Sequence, residues 1–284
     1  QAIDNAVDAG VVAVIAAGND GPGEQTIGSP GTARKAITIG ASDKQDNISD
    51  FSSRGPVVWG DVNNIQYLIK PDIIATGVNI CAAQWDNAFE NKGANGDCNN
   101  DNNHVAISGT SMATPHVAGA VALIKQSHPD WTPEEIKVSL KGTAKDLGQS
   151  SSIQGAGRID VVKVVKLTSP LNNYFDFGIV STSGKIHNLH DKIQIKGLFP
   201  QIYDSLKIDY SSDEINWVTN GITIIGQGNL IAEFNPEGNI LNMGDYTFRA
   251  TITKNGITKQ DSVKIFFDKN LKNGWPINIK GENS

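Results

Sequence analysis

The sequence predicts an α/β domain built on a parallel sheet, followed by a separate all-β sandwich domain. In residues 1–167, which are rich in Ala, Gly and Val, strand-like segments alternate with helix-like segments. This order is typical of a parallel sheet with helices packed on it. After residues 168–170, Thr-Ser-Pro, the chain changes to short alternating runs separated by Asn, Gly, Asp and Ser, which is typical of an antiparallel sandwich.

Three segments of the first domain have the composition of buried strands. Residues 11–17 form an unbroken apolar run, which indicates a strand buried on both faces. Residues 36–40 and 71–75 are shorter runs, the second opened by a proline at a position that strands tolerate. Residues 2–9, before them, are typical of a helix that stops at Gly10.

Three later segments of this domain are predicted to be helical. Residues 111–127 carry many small side chains, which would let a helix approach the sheet closely. The next helix has clear start signals, because Thr132 is a favourable N-cap, Pro133 suits the first helical position and Glu135 completes a capping box. A last amphipathic segment covers residues 158–167.

The second domain is predicted to cover residues 168–268 and to resemble a fibronectin III or immunoglobulin sandwich. Its strand signals include residues 192–196, 246–252 and 262–267, and Lys-Asn-Gly at 254–256 indicates a hairpin turn between the last two. Residues 269–284 are predicted to be a linker or the start of a further module.

Composition excludes several classes of protein. Hydrophobic residues make up 39% and charged residues 19%, which fits a globular chain. The net charge of -6 argues against nucleic acid as a partner, because phosphate binding needs clustered Lys and Arg. No apolar run approaches the roughly 20 residues of a membrane span.

The two cysteines, Cys81 and Cys98, lie in a loop-like stretch. They could close a disulfide, which would indicate an oxidising compartment, or they could remain two thiols. The sequence leaves both possibilities open.

The segment with the clearest chemistry is residues 109–119, Gly-Thr-Ser-Met-Ala-Thr-Pro-His-Val-Ala-Gly. A serine at the point where a tight turn enters a helix can project into a cleft. Its own N–H, unpaired in the first helical turn, can bind an oxyanion. Taken in isolation, Gly-Thr-Ser would be interpreted as a simple helix cap at Ser111.

This segment resembles the nucleophile motif of the subtilisin-like serine proteases, the subtilases, almost letter for letter. Residues 14–21, Val-Ile-Ala-Ala-Gly-Asn-Asp-Gly, resemble the segment that carries the family's oxyanion-hole asparagine. Residues 51–55 and 70–73 resemble two further family segments, and the order and spacing of all four agree with the family. The resemblance covers residues 1–167, and it implies a three-layer α/β fold that is incomplete at its N-terminus.

The resemblance implies a serine endopeptidase that acts on protein or peptide substrates. Ser111 would be the nucleophile, and the Asn19 amide with the Ser111 N–H would bind the oxyanion. Without Ser111, the asparagine would be read as a turn residue of Gly-Asn-Asp-Gly. The implied substrate-binding residues are small, which predicts a roomy pocket, and they are Ala16, Ala17, Gly18, Gly28 and Thr110.

The family also needs a catalytic Asp and a catalytic His, and the motifs that carry them do not occur in this sequence. None of the five histidines is a plausible substitute; His116 is expected to be structural, and His128, His187 and His190 are expected on the surface. We therefore expect the Asp and His on a segment that precedes Gln1, which would leave this chain inactive alone. A second chain that completes the site, an inactive subtilase-like scaffold and a cell-surface binding module are the alternatives.

No cofactor is expected for the chemistry, but structural calcium is possible. Residues 95–103 carry carboxylates and amides at alternate positions, which could bind calcium or could simply form a solvated loop. The family resemblance further implies a secreted, extracellular or cell-surface protein.

Overall fold

The computed structural model describes residues 1–59, 66–85, 98, 103–181, 186–240, 242–268 and 271. The contacts of the chain divide it into two compact units, with the division between Tyr174 and Phe175. The predicted calcium-binding stretch at 95–103 lies outside the described residues except for Cys98 and Asn103, and the predicted linker at 269–284 lies outside them except for Leu271.

The first unit contains five helices and seven strands within its described residues. Its helices are α1 (Ala2–Asp8), α2 (Thr110–Ser127), α3 (Pro133–Thr143), α4 (Ser151–Gln154) and α5 (Val161–Val165). Its strands are β1 (Val14–Ala16), β2 (Ile37–Ser42), β3 (Val57–Trp59), β4 (Gln66–Leu68), β5 (Ile73–Thr76), β6 (Ile80–Ala83) and β7 (His104–Ile107).

A parallel sheet in the order β1-β2-β5 forms the centre of this unit, as predicted. Every residue of β2 is buried, and helices α2, α3 and α5 share one hydrophobic core with β2 and β5. The prediction of a strand buried on both faces at 11–17 is wrong for β1, whose three residues are only half-buried. The reason is its position at the edge of the described sheet.

Strand β1 is also shorter than the apolar run because the end of α1 uses part of that run. The N–H of Gly10 donates to the Val7 carbonyl at 2.9 Å, and the N–H of Val11 donates to the Ala6 carbonyl at 3.1 Å. With Gly10 at φ 96°, this pair of bonds is a Schellman helix end, which favours glycine. Residue 11 therefore terminates the helix instead of joining the sheet.

Local sequence signals predicted the positions of helices α2 and α3 correctly. The structure begins α2 at Thr110, one residue before the prediction, and ends it at Ser127. The predicted capping box of α3 is confirmed: Thr132 Oγ1 accepts from the Glu135 N–H at 3.2 Å, and Glu135 Oε2 accepts from the Thr132 N–H at 2.7 Å.

Two small antiparallel pairs, β3–β4 and β6–β7, complete the strands of the first unit. Cys81 on β6 forms a disulfide with Cys98, with 5.6 Å between the two Cα atoms. This observation resolves the choice that the sequence left open. Because β7 leads directly into the turn before α2, the disulfide lies on the hairpin that precedes Ser111.

The second unit is all-β and holds two four-stranded sheets among its described residues. Its strands are β8 (Gly178–Ser181), β9 (Ile186–His187), β10 (Ile193–Leu198), β11 (Ser205–Ser211), β12 (Ile222–Gln227), β13 (Leu230–Phe234), β14 (Gly244–Lys254) and β15 (Ile257–Phe267). The sheet orders are β12-β13-β10-β8 and β11-β14-β15-β9. Buried residues of both sheets form one cluster, in which Phe234 contacts Phe248 edge-to-face at 5.0 Å between ring centroids.

The predicted hairpin turn at 254–256 is confirmed between β14 and β15. Lys254 pairs with Ile257, which leaves Asn255 and Gly256 as the two loop residues. Their φ angles of 51° and 74° are those of a type I′ turn, in which Asn-Gly is the preferred pair.

A buried charge cluster joins the sheet of the first unit to α3. The Asp72 carboxylate, 1% exposed, lies 2.6 Å from Lys70 Nζ, 3.2 Å from Lys137 Nζ and 3.3 Å from Lys141 Nζ. It also accepts the Thr38 N–H at 2.8 Å. Burial by itself would raise the pKa of Asp72, but the three ammonium groups outweigh it and hold that pKa far below its ordinary range. One buried carboxylate thus balances three lysines.

The burial of Lys70 predicts a stability that rises at alkaline pH. Burial lowers the pKa of the Lys70 ammonium from 10.5 to about 8, although Asp72 favours the charged form. Between these two values the unfolded chain binds more protons than the folded chain, so the free energy of unfolding rises with pH, on the order of 2 kcal/mol. Denaturation of the protein and of its Lys70→Met variant at several pH values from 7 to 10.5 tests this rise. Parallel pH dependences for the two proteins would contradict it.

Candidate active site

Ser111 lies in the first turn of α2, and its side chain is exposed. A helix leaves the first four backbone N–H groups without intrahelical partners. In this turn the Ser111 N–H has no partner among the described residues. The other three are satisfied at 2.8 to 3.0 Å, and they belong to Gly109, Thr110 and Met112. The structure therefore leaves one N–H, that of the predicted nucleophile, available to an external acceptor.

Asn19 is exposed at the end of β1, and its side-chain oxygen is fixed by Thr110. Oδ1 accepts the Thr110 N–H at 2.9 Å and lies 3.0 Å from Thr110 Oγ1. A backbone N–H can only donate, so the atom that faces it must be the carbonyl oxygen of the amide. The Asn19 Nδ2 group consequently faces the other way, and it has no hydrogen-bond partner in the described chain.

Gly109 lies beside the Asn19 amide. A Cβ at position 109 would lie 3.4 Å from Asn19 Nδ2 and 3.6 Å from Met112 Sδ, which are ordinary van der Waals distances. Gly109 also donates its N–H to the Gly77 carbonyl at 2.8 Å, which ties the turn to the end of β5. The turn before Ser111 and the turn that carries Asn19 are thus in direct contact, although about 90 residues separate them in the sequence.

The arrangement of these groups suits stabilisation of a negative charge. The N-terminus of α2 carries the positive end of the helix dipole, which favours anions. The Ser111 N–H and the Asn19 amide are two donors on neighbouring, hydrogen-bonded segments. Donors that are already held in place lower the energy of a developing oxyanion without reorganising.

The structure places residues predicted to bind substrate around the same loop. Gly28 donates its N–H to the Ala17 carbonyl at 3.3 Å, and a Cβ at position 28 would contact nothing within 4 Å. Thr110 lies at the start of α2. It is fully buried, and its Oγ1 lies 3.2 Å from both the N and the O of Gly18. Its contacts support the Asn19 turn and do not line an open pocket.

All five histidines lie among the described residues, and none forms a hydrogen bond with Ser111. His116 is exposed on α2, and its Nδ1 lies 2.9 Å from the Met112 carbonyl. The surface prediction is wrong for two of the others. His128 is half-buried because its ring stacks on Trp131 at 4.1 Å, and His187 is half-buried beside Phe267. Only His190 of those three is exposed.

Three residues with structural roles escaped the sequence prediction. Ser53 hydrogen-bonds to both neighbours of Asn19, and it lies in the segment 51–55, whose motif signal gave it no role. Lys137 and Lys141 lie on α3 beside the buried residues Ile136 and Leu140. Their four-residue spacing on that helix face is the sequence signal that could have predicted their burial.

Within the described part of the chain, no group of three or more His, Cys, Asp or Glu side chains could hold a metal ion. No described helix is long and apolar enough to span a membrane.

Comparison with known proteins identifies the family. The model of the "Subtilase family" matches residues 1–157. The serine protease AprX of Bacillus subtilis (strain 168) is 43% identical over 168 residues, which cover 56% of this chain and 36% of that protein. Subtilisin Savinase of Lederbergia lenta is 35% identical over 160 residues, which cover 56% of this chain and 48% of that protein. A protease of Pseudoalteromonas arctica PAMC 21717 has a solved structure with a TM-score of 0.44 and 27% identity, over 58% of this chain and 44% of its own. The chain spans about a third to a half of the curated relatives, and through its first 157 residues it belongs to the subtilase family.

Proposed function

We propose that the protein containing this chain is a serine endopeptidase that hydrolyses peptide bonds through an acyl-enzyme. The observation that carries the proposal is the pair of available donors, Ser111 N–H and Asn19 Nδ2, beside an exposed Ser111 hydroxyl. In this reaction Ser111 Oγ gives its proton to a base as it bonds to the scissile carbonyl carbon, and the carbonyl π electron pair moves to the oxygen that the two donors hold. The C–N bond then breaks as the amine takes that proton from the base, and water, activated by the same base, hydrolyses the ester and restores the Ser111 hydroxyl.

We propose that the base and its orienting carboxylate come from a segment that precedes Gln1. A serine hydroxyl needs a base within hydrogen-bond reach, and the base needs a carboxylate partner. No histidine of this chain supplies that contact. The edge strand β1, whose outer side is unpaired among the described residues, is where such a segment could extend the parallel sheet into the larger three-layer fold. A second chain that supplies the same groups is the alternative source.

The substrate is a protein or peptide that lies extended along the cleft beside Asn19. Small residues at positions 16–18 and the open space around Gly28 support a roomy primary pocket with a broad or apolar preference.

Structural calcium remains a proposal for the stretch at 95–103.

We propose that the protein is secreted or displayed at the cell surface. The disulfide between Cys81 and Cys98 supports an oxidising compartment. The minor extracellular protease Vpr of Bacillus subtilis (strain 168) is 38% identical over 130 residues, which cover 44% of this chain and 14% of that protein.

We further propose that the second unit is a fibronectin III-like or immunoglobulin-like sandwich. The hydrophobic core that its two sheets share supports this proposal.

A second candidate is a subtilase-like scaffold that has lost catalysis and serves in binding, or a cell-surface binding module. The observation in its favour is that this chain provides Ser111 with no base. Against it, the structure keeps both oxyanion donors available, an arrangement that a binding scaffold does not need.

Labelling of the full-length protein by a fluorophosphonate probe decides between these functions. An active serine protease is expected to form one covalent adduct, and peptide mapping is expected to place it on Ser111. The matched sample is the chain of residues 1–284, which is expected to label far more slowly because no base activates its hydroxyl. An unlabelled Ser111 in the full-length protein would rule out the peptidase and favour the scaffold.

A further inference from the structure

Ser53 brackets the turn that carries Asn19. Its backbone N–H donates to the Gly18 carbonyl at 3.0 Å, and its Oγ accepts the Asp20 N–H at 3.1 Å. The residues before and after Asn19 are therefore both bonded to the same serine. Ser53 is fully buried, whereas Asp20, which donates to its hydroxyl, is exposed.

Gly18 allows Ser53 to approach this closely. A Cβ at position 18 would lie 2.8 Å from Ser53 Oγ, which is shorter than any normal contact, and φ at Gly18 is 110°, a value that side chains rarely adopt. The turn is thus built around a close backbone contact with Ser53. Thr110 holds the opposite side of the turn through the Asn19 oxygen. Together the two residues fix the backbone and the side chain of Asn19.

The position of the Asn19 backbone decides where its amide points. An oxyanion donor contributes only when it lies within about 2.7–3.1 Å of the developing charge. A displacement of about 1 Å can lower a rate by about 10²-fold. If Ser53 lost its hydroxyl, Asp20 N–H would lose its partner and the turn could shift while the rest of the domain stayed folded. Asp20 is exposed, so water could take over that N–H at little cost in stability.

We propose that Ser53 is a positioning residue for the oxyanion hole, which acts by holding the turn of Asn19. The inference rests on the proposed peptidase function. It assigns Ser53 no contact with the substrate and no part in proton transfer.

Ser52 offers a matched control in the adjacent position. It is also fully buried, and its Oγ also accepts a backbone N–H, that of Ala41 at 3.0 Å. Ala41 lies on β2 and not on the Asn19 turn. The variants Ser52→Ala and Ser53→Ala therefore remove the same atom and the same type of bond, but only the second touches the turn.

The test is a double-mutant cycle on the full-length protein with a chromogenic peptide. Ser53→Ala is expected to lower kcat by about 10- to 100-fold with KM nearly unchanged, the upper limit being a 1 Å displacement. Asn19→Ala is expected to lower kcat by about 10²–10³, a figure that belongs to subtilisin itself and is carried over to this chain. The double variant should be no slower than Asn19→Ala alone, because Ser53 acts through the amide that is already missing. Losses that multiply, or an equal loss in Ser52→Ala, would overturn the proposal.

A second measurement decides the question even if the protein proves inactive. The side-chain amide signal of Asn19, identified by its loss in Asn19→Ala, reports the order of that group by NMR relaxation. Ser53→Ala should lower the order of this amide, and Ser52→Ala should leave it unchanged. An unchanged amide in Ser53→Ala overturns the positioning role. Failure of the wild-type protein to hydrolyse peptides and to react with the probe overturns the peptidase function instead.

Discussion

Replacing Ser111 by alanine is expected to lower peptide hydrolysis by the full-length protein by about 10⁶-fold, a magnitude that belongs to subtilisin itself and is carried over. The change removes the atom that bonds to the scissile carbonyl but keeps the Ser111 N–H, so the oxyanion site persists. Substrate binding should therefore change little. Steady-state kinetics on a chromogenic peptide, together with peptide binding to the inactive variant, check both parts.

The matched control for this variant is Ser127→Ala, at the other end of the same helix. Ser127 is also an exposed serine on α2, and no contact joins it to the Asn19 turn. It should retain wild-type turnover and melting temperature. Ser111→Ala should melt near the wild type, because removal of an exposed hydroxyl changes stability little. Substantial activity in Ser111→Ala would mean that another residue is the nucleophile.

Replacing Asp72 by asparagine is expected to destabilise the first unit by about 3–5 kcal/mol, because it removes one partner of a buried ion-pair cluster. The substitution preserves shape but removes the carboxylate that pairs with Lys70, Lys137 and Lys141. Hydrogen exchange of the amides in β2 and β5 measures the effect within this unit. Those amides should exchange much faster in the variant.

Two comparisons separate a buried charge effect from a general loss of a carboxylate. Asp46→Asn removes a half-buried carboxylate that pairs with Lys145 at 2.7 Å and with Arg158, both of which are more exposed, and ion pairs near the surface contribute about 0–1 kcal/mol each. Adding Lys70→Met to Asp72→Asn should recover part of the lost stability, because it removes the buried ammonium group that lies nearest to position 72. An effect of Asp72→Asn no larger than that of Asp46→Asn would show that the cluster tolerates the excess charge.

Local chemistry explains the parts of the fold that the sequence predicted well. The capping box at Thr132 and Glu135 needs only residues three apart, and the Asn-Gly turn at 255–256 needs only two adjacent residues. Helix α2 was found because its small residues and its motif are contiguous. Where a local signal competed with another, the prediction failed: the apolar run at 11–17 could not show that the end of α1 would use Val11.

The features of the candidate site also divide into those that neighbouring residues determine and those that the fold determines. The sequence by itself determined that Ser111 stands at a helix start and that Asn19 lies in a glycine-flanked turn, because both properties follow from neighbouring residues. Only the tertiary structure decided that the Asn19 oxygen bonds to Thr110, that Ser53 holds the turn, that Cys81 joins Cys98 and that three lysines converge on Asp72. These contacts join residues from 2 to 91 positions apart, and they depend on distances that packing of the sheet and helices sets. A sequence pattern records which donors and acceptors exist, whereas the fold decides which of them meet.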